Sequence, residues 1–205
     1  MQSDRIGKDV WVPKVVDHEE RRRRIAETLR RIAADEGLEA VSLGQVAAAA
    51  GISKGQVQHY FPNKDAMLRY AVRTLRDQVD RRIAAGTAAA PPDLRTVLVA
   101  LLPIEDDSRT EALVATAFLW RAFKDDEIAA QFRTGYEQLR DGLAALVEAE
   151  QGRGAFPAGL DSGREADLLL ALTTGLADAV LLGHRTGPEA IELIELHLAR
   201  LAERG

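Results

Sequence analysis

Residues 53–64 read Ser-Lys-Gly-Gln-Val-Gln-His-Tyr-Phe-Pro-Asn-Lys, a stretch rich in amide, imidazole and hydroxyl groups. A glutamine can give and accept a hydrogen bond at once on the edge of adenine in a DNA major groove. Serine, tyrosine and lysine can hold phosphates, which fixes register without reading sequence. From Ala40 to Lys64 there is no Asp or Glu at all. Such a set does chemistry only if a small rigid element presents it to a partner.

The residues around the stretch meet the demands of a helix-turn-helix. Two helices that cross closely need a small residue at the crossing, and their turn needs a residue that tolerates left-handed geometry. Ala47 supplies the first and Gly51 the second, while Val46, Ile52 and Val57 are apolar pins to a core. With those positions spent on packing, Lys54, Gly55, Gln56, Gln58, His59 and Tyr60 face outward. Gly55 lets backbone approach bases or phosphates, and Ser53, Tyr60 and Lys64 are placed to hold phosphates. An ordinary corner between two helices with a polar surface would use the same pins.

The periodicity elsewhere is helical, and no segment alternates as a strand does. Asp17 caps a helix to Glu36, with Ile25, Leu29 and Ile32 on one face and Arg21 to Arg24 as a basic run. Ser42 caps a short helix to Ala50, and a third runs from Lys54 to Phe61. Asn63 caps a long uninterrupted helix to Ala85. Further helices are expected over 92–102, 108–124, 126–151, 163–183 and 188–204. The fold class is therefore all-α with about nine helices. An N-terminal arm covers 1–16, a helix-turn-helix domain 17–62, a connecting helix 63–86 and a helical body 87–205.

Charge divides along the same line. The chain carries −5 overall, distributed as +2 in residues 1–64 and −7 in the remainder. A protein that coats nucleic acid everywhere is excluded, while local contact with a polyanion fits. The longest uncharged apolar run of the C-terminal half, Leu168 to Ala177, is too short for a bilayer, which takes about 20 residues. A cytoplasmic location is expected. His18, His59, His184 and His197 have no partners at metal-binding spacing, and no nucleophile-elbow or phosphate-loop pattern occurs. No enzyme, cofactor or metal is expected.

The run VSLGQVAAAAGISKGQVQHYFPNKDAMLRYAV resembles the DNA-binding signature of the tetracycline-repressor (TetR) family. The marks are the Ser42 cap, Val46-Ala47, Ala50-Gly51-Ile52-Ser53, Gly55 to Phe61 and Lys64 to Leu68. The resemblance implies a two-domain homodimer in which Ser42, Ser53, Lys54, Gly55, Gln56, Gln58, His59, Tyr60 and Lys64 face DNA. It implies a ligand-responsive regulator, in most such proteins a repressor, released from a palindromic operator by a small-molecule effector. Gly44 departs from the larger residue common there, and Gln58 and His59 replace common aromatics. The arm VPKVVDHEERR is similar to the branch of the choline-responsive betaine regulator, and its Lys8 and Lys14 could follow a minor groove. The alternative is a helical ligand-binding or dimerisation protein without specific DNA binding. It would show broken recognition residues, and here they are intact.

The body offers two further surfaces. Gly175, Ala179 and Gly183 form a small-residue ridge. With Leu172, Leu176, Ile191, Ile194, Leu198 and Leu201 it suggests a two-fold four-helix dimer interface, or else an intrachain core. Phe118, Trp120, Phe123, Phe132 and Tyr136 gather most of the aromatics, with Arg121, Thr173 and Asp178 as polar groups. They make either an effector pocket, in which an aromatic cage could hold a cation, or a plain aromatic core.

Overall fold

The computed structural model describes residues 18–86 and 93–203. The arm over 1–16 with Lys8 and Lys14, the Asp17 cap and residues 87–92 lie outside the described residues. Among the described residues the regular elements are ten helices: α1 (His18–Glu36), α2 (Leu43–Ala49), α3 (Lys54–Tyr60), α4 (Lys64–Arg73), α5 (Leu75–Gly86), α6 (Leu94–Ala100), α7 (Asp106–Ala122), α8 (Asp126–Gly152), α9 (Ser162–Leu181) and α10 (Gly187–Ala202).

Polar side chains cap most of these helices at their N-termini, where backbone N–H groups lack partners. Ser42 accepts from the Gln45 N–H at 3.2 Å, Asn63 from Ala66 at 2.8 Å and Asp93 from Thr96 at 2.7 Å. Ser53 and Gln56 form a reciprocal capping box at α3, as do Thr186 and Glu189 at α10.

The expected uninterrupted helix over 63–85 is broken at Thr74. Arg30 of α1 inserts there, its Nη1 donating to Thr74 Oγ1 at 2.8 Å. The same hydroxyl lies 3.3 Å from the Tyr70 carbonyl and 3.2 Å from that of Ala71. A threonine that turns its hydroxyl back onto its own helix, with a foreign side chain docked on it, kinks the helix. The break makes ten helices of the nine expected.

Two apolar cores hold the fold. The first contains Ile25, Leu29, Val46, Val57, Phe61, Met67 and Leu68 from α1 to α4, together with Val114, Phe118 and Ile128 from α7 and α8. The first ten residues of the expected connecting helix therefore belong to the core of the N-terminal half, α1 to α4. The second core joins Leu98 of α6, Leu143 and Val147 of α8, Leu169 and Leu170 of α9, and Ile194 and Leu201 of α10. The 27 residues of α8 serve both.

Polar links cross the first core's edge. The Tyr70 hydroxyl donates to Glu19 Oε1 at 2.6 Å, tying α4 to α1. Arg121 of α7 reaches Asp65 of α4 at 2.8 Å, and Arg69 of α4 reaches Glu127 of α8 at 2.7 Å. Burial and the Glu19 bond push the Tyr70 phenol up to about 12. A folded pKa above the unfolded value of about 10 gives stability that is complete below pH 10 and lost as pH rises toward 12. Urea denaturation of wild type and Tyr70→Phe from pH 8 to 12 should show wild type the more stable at pH 8. The gap should close above pH 10. A gap constant across that range would contradict the assignment.

Candidate nucleic-acid interface and effector cavity

The turn between α2 and α3 is built as the sequence requires. Gly51 has φ +64°, in the left-handed region. Its N–H bonds the Ala48 carbonyl at 3.2 Å and the Ile52 N–H bonds that of Ala47 at 3.0 Å, a glycine-terminated helix end. Val46 and Val57 are fully buried beneath the turn. With those pins fixed, Lys54, Gly55, Gln56, Gln58 and His59 are exposed on α3, and Tyr60 is half-buried. Ser42 and Ser53 are exposed at the starts of α2 and α3.

Several expected contacts have other duties. The Gln56 amide oxygen accepts from the Ser53 N–H at 2.9 Å while its own N–H bonds Ser53 Oγ at 3.1 Å. Gln56 therefore holds its amide in the cap with the NH2 free for a base edge, and Gln58 is the glutamine whose side chain is not engaged in the cap. Lys64, expected on phosphate, is half-buried and donates from Nζ to the Leu38 carbonyl at 3.1 Å. It joins the Val41 N–H, which bonds the same carbonyl at 3.3 Å, and so ties the start of α4 to the turn after α1.

Two residues not picked from the sequence join this surface. His18 stacks near His59 at 6.1 Å and Tyr60 at 5.7 Å, and His59 meets Tyr60 edge-on at 5.1 Å. Arg21 lines a shallow hollow with Ser53, Gly55, Gln56, His59 and Tyr60. Residues 18 and 21 are one helical turn apart, so the basic run at the start of α1 already carried the signal. Arg22 lies over the Phe61 ring at 6.0 Å.

Gly55 has no internal reason to be glycine. Its φ is not in the left-handed region, and a Cβ there would find only Ser53 Oγ, at 3.9 Å. Glycine in a helix costs up to about 1 kcal/mol against alanine. Close approach of a partner to the backbone is the reason outside the chain that a substitution can test.

The expected aromatic pocket does not assemble. Phe118 is fully buried in the first core and Phe132 packs against it. Trp120 and Phe123 are 71% and 72% exposed and stack on each other at 5.8 Å. The Tyr136 hydroxyl reaches Asp167 at 2.9 Å, and Arg121 is held by Asp65. Of the expected set, Thr173 and Asp178 line a cavity of about 240 Å³ between α5, α7 and α9. Its walls are mostly aliphatic, from Leu75, Val79, Leu139, Leu170, Ala177 and Leu181. Glu111 and Arg82, which pair with each other, add charge. The Thr173 hydroxyl donates to the Leu169 carbonyl at 2.8 Å, which leaves its lone pairs to the cavity.

The expected interface residues divide in a similar way. Leu176, Ile194 and Leu201 are buried in the second core, and Ile191 and Leu198 pack against it. The most apolar stripe of α10 faces its own chain, because that is the face its neighbours α6 and α9 cover. On the outer side of α9, Leu168 and Leu182 are 58% and 70% exposed. Gly175 lies between them with open space over its Cα. Leu172 and Ala179 share this stripe half-buried, and Leu193 and Leu196 of α10 extend the apolar surface. Gly183 ends α9 with φ +73°.

Comparison with known proteins agrees with this geometry. Residues 25–71 match the model of the bacterial regulatory proteins of the tetR family. Residues 91–203 match that of the BetI-type transcriptional repressor C-terminal part. The HTH-type transcriptional regulator PksA of Bacillus subtilis is 30% identical over 170 residues, 81% of each chain. The HTH-type transcriptional regulator BetI of Burkholderia cenocepacia is 31% identical, over 78% of this chain and 99% of its own. Among solved structures, a transcriptional regulator of Rhodococcus sp. Rha1 superposes with a TM-score of 0.76 at 30% identity, covering 89% of this chain and 96% of its own. A regulator of Saccharomonospora viridis in complex with choline superposes with 0.77 at 26% identity, covering 86% and 94%.

The two turn-region glycines should respond oppositely to alanine. Gly55→Ala should raise folding stability by up to about 1 kcal/mol in urea denaturation while weakening DNA binding measured by fluorescence anisotropy. Gly51→Ala should cost about 1–2 kcal/mol through left-handed strain. If Gly55→Ala binds DNA as well as wild type, the close-approach reading of Gly55 is wrong.

Proposed function

The chain belongs to the tetR family of bacterial regulatory proteins, with a C-terminal part of the BetI repressor type, and we propose that it represses by holding a two-fold operator as a dimer and releasing it when a small effector binds. The carrying observation is the exposed, acid-free face of α3, pinned by Val46 and Val57 and flanked by Arg21 and His18. Gln58 and the Gln56 amide NH2 read bases. Lys54 and His59 flank them, and Ser42, Ser53, Tyr60 and Arg21 hold phosphates.

Two such faces reach successive major grooves only if two chains are held about 34 Å apart. The outer stripe of α9, Leu168, Leu172, Gly175, Ala179 and Leu182, with Leu193 and Leu196, is the surface proposed to pair. The residue division follows the packing: a reading half through α4, a kinked connection at Thr74 and a ligand-binding, pairing body. Operator binding puts the chain in the cytoplasm, and no described helix is long and apolar enough to cross a membrane. The reading is of a regulator rather than an enzyme, and it rests on family membership.

The effector site proposed is the cavity between α5, α7 and α9, and the ligand class a small organic cation. The support is the exposed Asp178 carboxylate at a wall whose other charges, Glu111 and Arg82, cancel in a pair. The choline complex of the Saccharomonospora viridis relative is consistent with that class. The aromatic cage expected for such a cation has no counterpart in this cavity. A carboxylate and threonine hydroxyls take its place. Because α5 and α7 also border the reading half, a ligand that favours one spacing of the two halves shifts the operator equilibrium.

Selection of sites from random duplex DNA should yield a two-fold palindrome bound at nanomolar Kd with a steep salt dependence. Weak binding indifferent to sequence would refute the regulator reading. The double variant Leu168→Asp/Leu182→Asp should sediment as a monomer and lose operator affinity by about a hundredfold or more. Choline should lower operator binding, and Asp178→Asn should raise the concentration required by about tenfold. An Asp178→Asn protein that responds as wild type does would move the effector elsewhere.

A further inference from the structure

A second hollow, larger than the effector cavity, lies where the reading half meets the body. It encloses about 530 Å³ between α1, the end of α2, α5 and α7. Four arginines of α1 line it, Arg21, Arg24, Arg30 and Arg31, with Gln78 of α5 opposite. Acid on its walls comes from Glu27, Asp107 and Glu111, of which Glu111 is paired with Arg82.

Two groups in this hollow are short of partners. Arg30 is 5% exposed, and its one hydrogen-bond acceptor among the described residues is the Thr74 hydroxyl. No carboxylate lies within ion-pairing distance of it among the described residues, and burial pulls its pKa down. Gln78 Oε1 is buried and has no donor among the described residues. Glu27 and Glu111 favour the Arg30 charge from a distance but do not contact it. A buried guanidinium with no carboxylate in direct contact and a buried carbonyl oxygen without a donor each cost free energy. One molecule that brings an oxyanion and a hydrogen-bond donor relieves both.

We propose that this hollow is a second ligand site, for a small organic acid bearing a hydroxyl, its oxyanion on Arg30 and its hydroxyl donating to Gln78 Oε1. The oxyanion is a carboxylate or a phosphate ester. The site is coupled to DNA reading by position. Arg30 is the side chain that docks on the kink at Thr74, and an oxyanion competes with that hydroxyl for it. Glu111 also lines the effector cavity, so the two sites share a wall. The coupling rests on the regulator reading; the ligand site does not.

The test is thermal melting of the full chain without DNA, in malate, succinate or glycerol 3-phosphate, against potassium chloride of matched ionic strength. Malate or glycerol 3-phosphate should raise Tm by about 3–6 °C at ten times Kd. The better of the two identifies the oxyanion, and succinate, which lacks the hydroxyl, should do less. Gln78→Leu should fold normally and reduce the malate shift to the succinate level. Arg30→Gln should abolish the shift. No shift beyond matched chloride from any probe, or equal shifts in wild type and Gln78→Leu, would overturn the site. Operator titration at saturating probe then reads the coupling. An unchanged operator Kd in a chain that binds both probe and operator refutes the coupling alone. Failure to bind operator at all bears on the regulator reading and leaves the melting result standing.

Discussion

The burial of Phe118 among the side chains of α1 to α4 is the contact on which the rest of the structure depends. A phenyl ring with no exposed surface, set in a core shared with Ile25, Leu29, Met67 and Leu68, is worth about 1.5–3 kcal/mol in burial alone. More important is where it comes from. Phe118, Val114 and Ile128 belong to helices of the body, yet they complete the core of the reading half. The surface proposed to meet DNA is therefore not tethered to the body by a strap. It is packed against it, and any movement of α7 or α8 displaces α1 directly.

That packing explains why polar links gather at the same seam. Arg121 to Asp65, Arg69 to Glu127 and Arg30 to Thr74 each join a helix of one half to a helix of the other or to the kink between them. The first two are partly exposed pairs, each worth less than about 1 kcal/mol. They orient rather than bind. Arg30 differs, being buried and docked where the connecting helix bends. A seam with an apolar centre, a buried Arg30 at its hinge and a buried Asp125 on Arg69 has few arrangements of similar energy, which a two-state switch requires.

Much of the reading half was legible from local pattern. Gly51, Ala47, Val46 and Val57 act within a window of about ten residues, so their spacing is enough to place the turn and the outward face. The helices of the body also fell within about two residues of their expected ends, as caps and glycines mark them. The features that escaped depend on distant partners. The kink at Thr74 comes from Arg30, 44 residues earlier, and nothing in the neighbourhood of Thr74 signals it. Lys64 looked free until the Leu38 carbonyl was seen beside it. Ile194 and Leu201 were expected on an interface because they are the most apolar positions of α10. That is also why they are taken first by their own chain, leaving Leu193 and Leu196 outside. The aromatics misled in the same sense: Phe118 was drawn into a core and Trp120 turned out to solvent, and composition does not tell one from the other.

The sharing of α8 between two cores has a consequence for modularity. Ile128 stands in one core and Leu143 and Val147 in the other, on a continuous rod about 40 Å long. Melting either core removes a wall of its neighbour, which couples the stability of the two cores. A fragment cut after α4 would carry the whole recognition surface and yet expose the apolar socket left by Phe118. Resurfacing α3 on the intact body changes specificity without opening that socket.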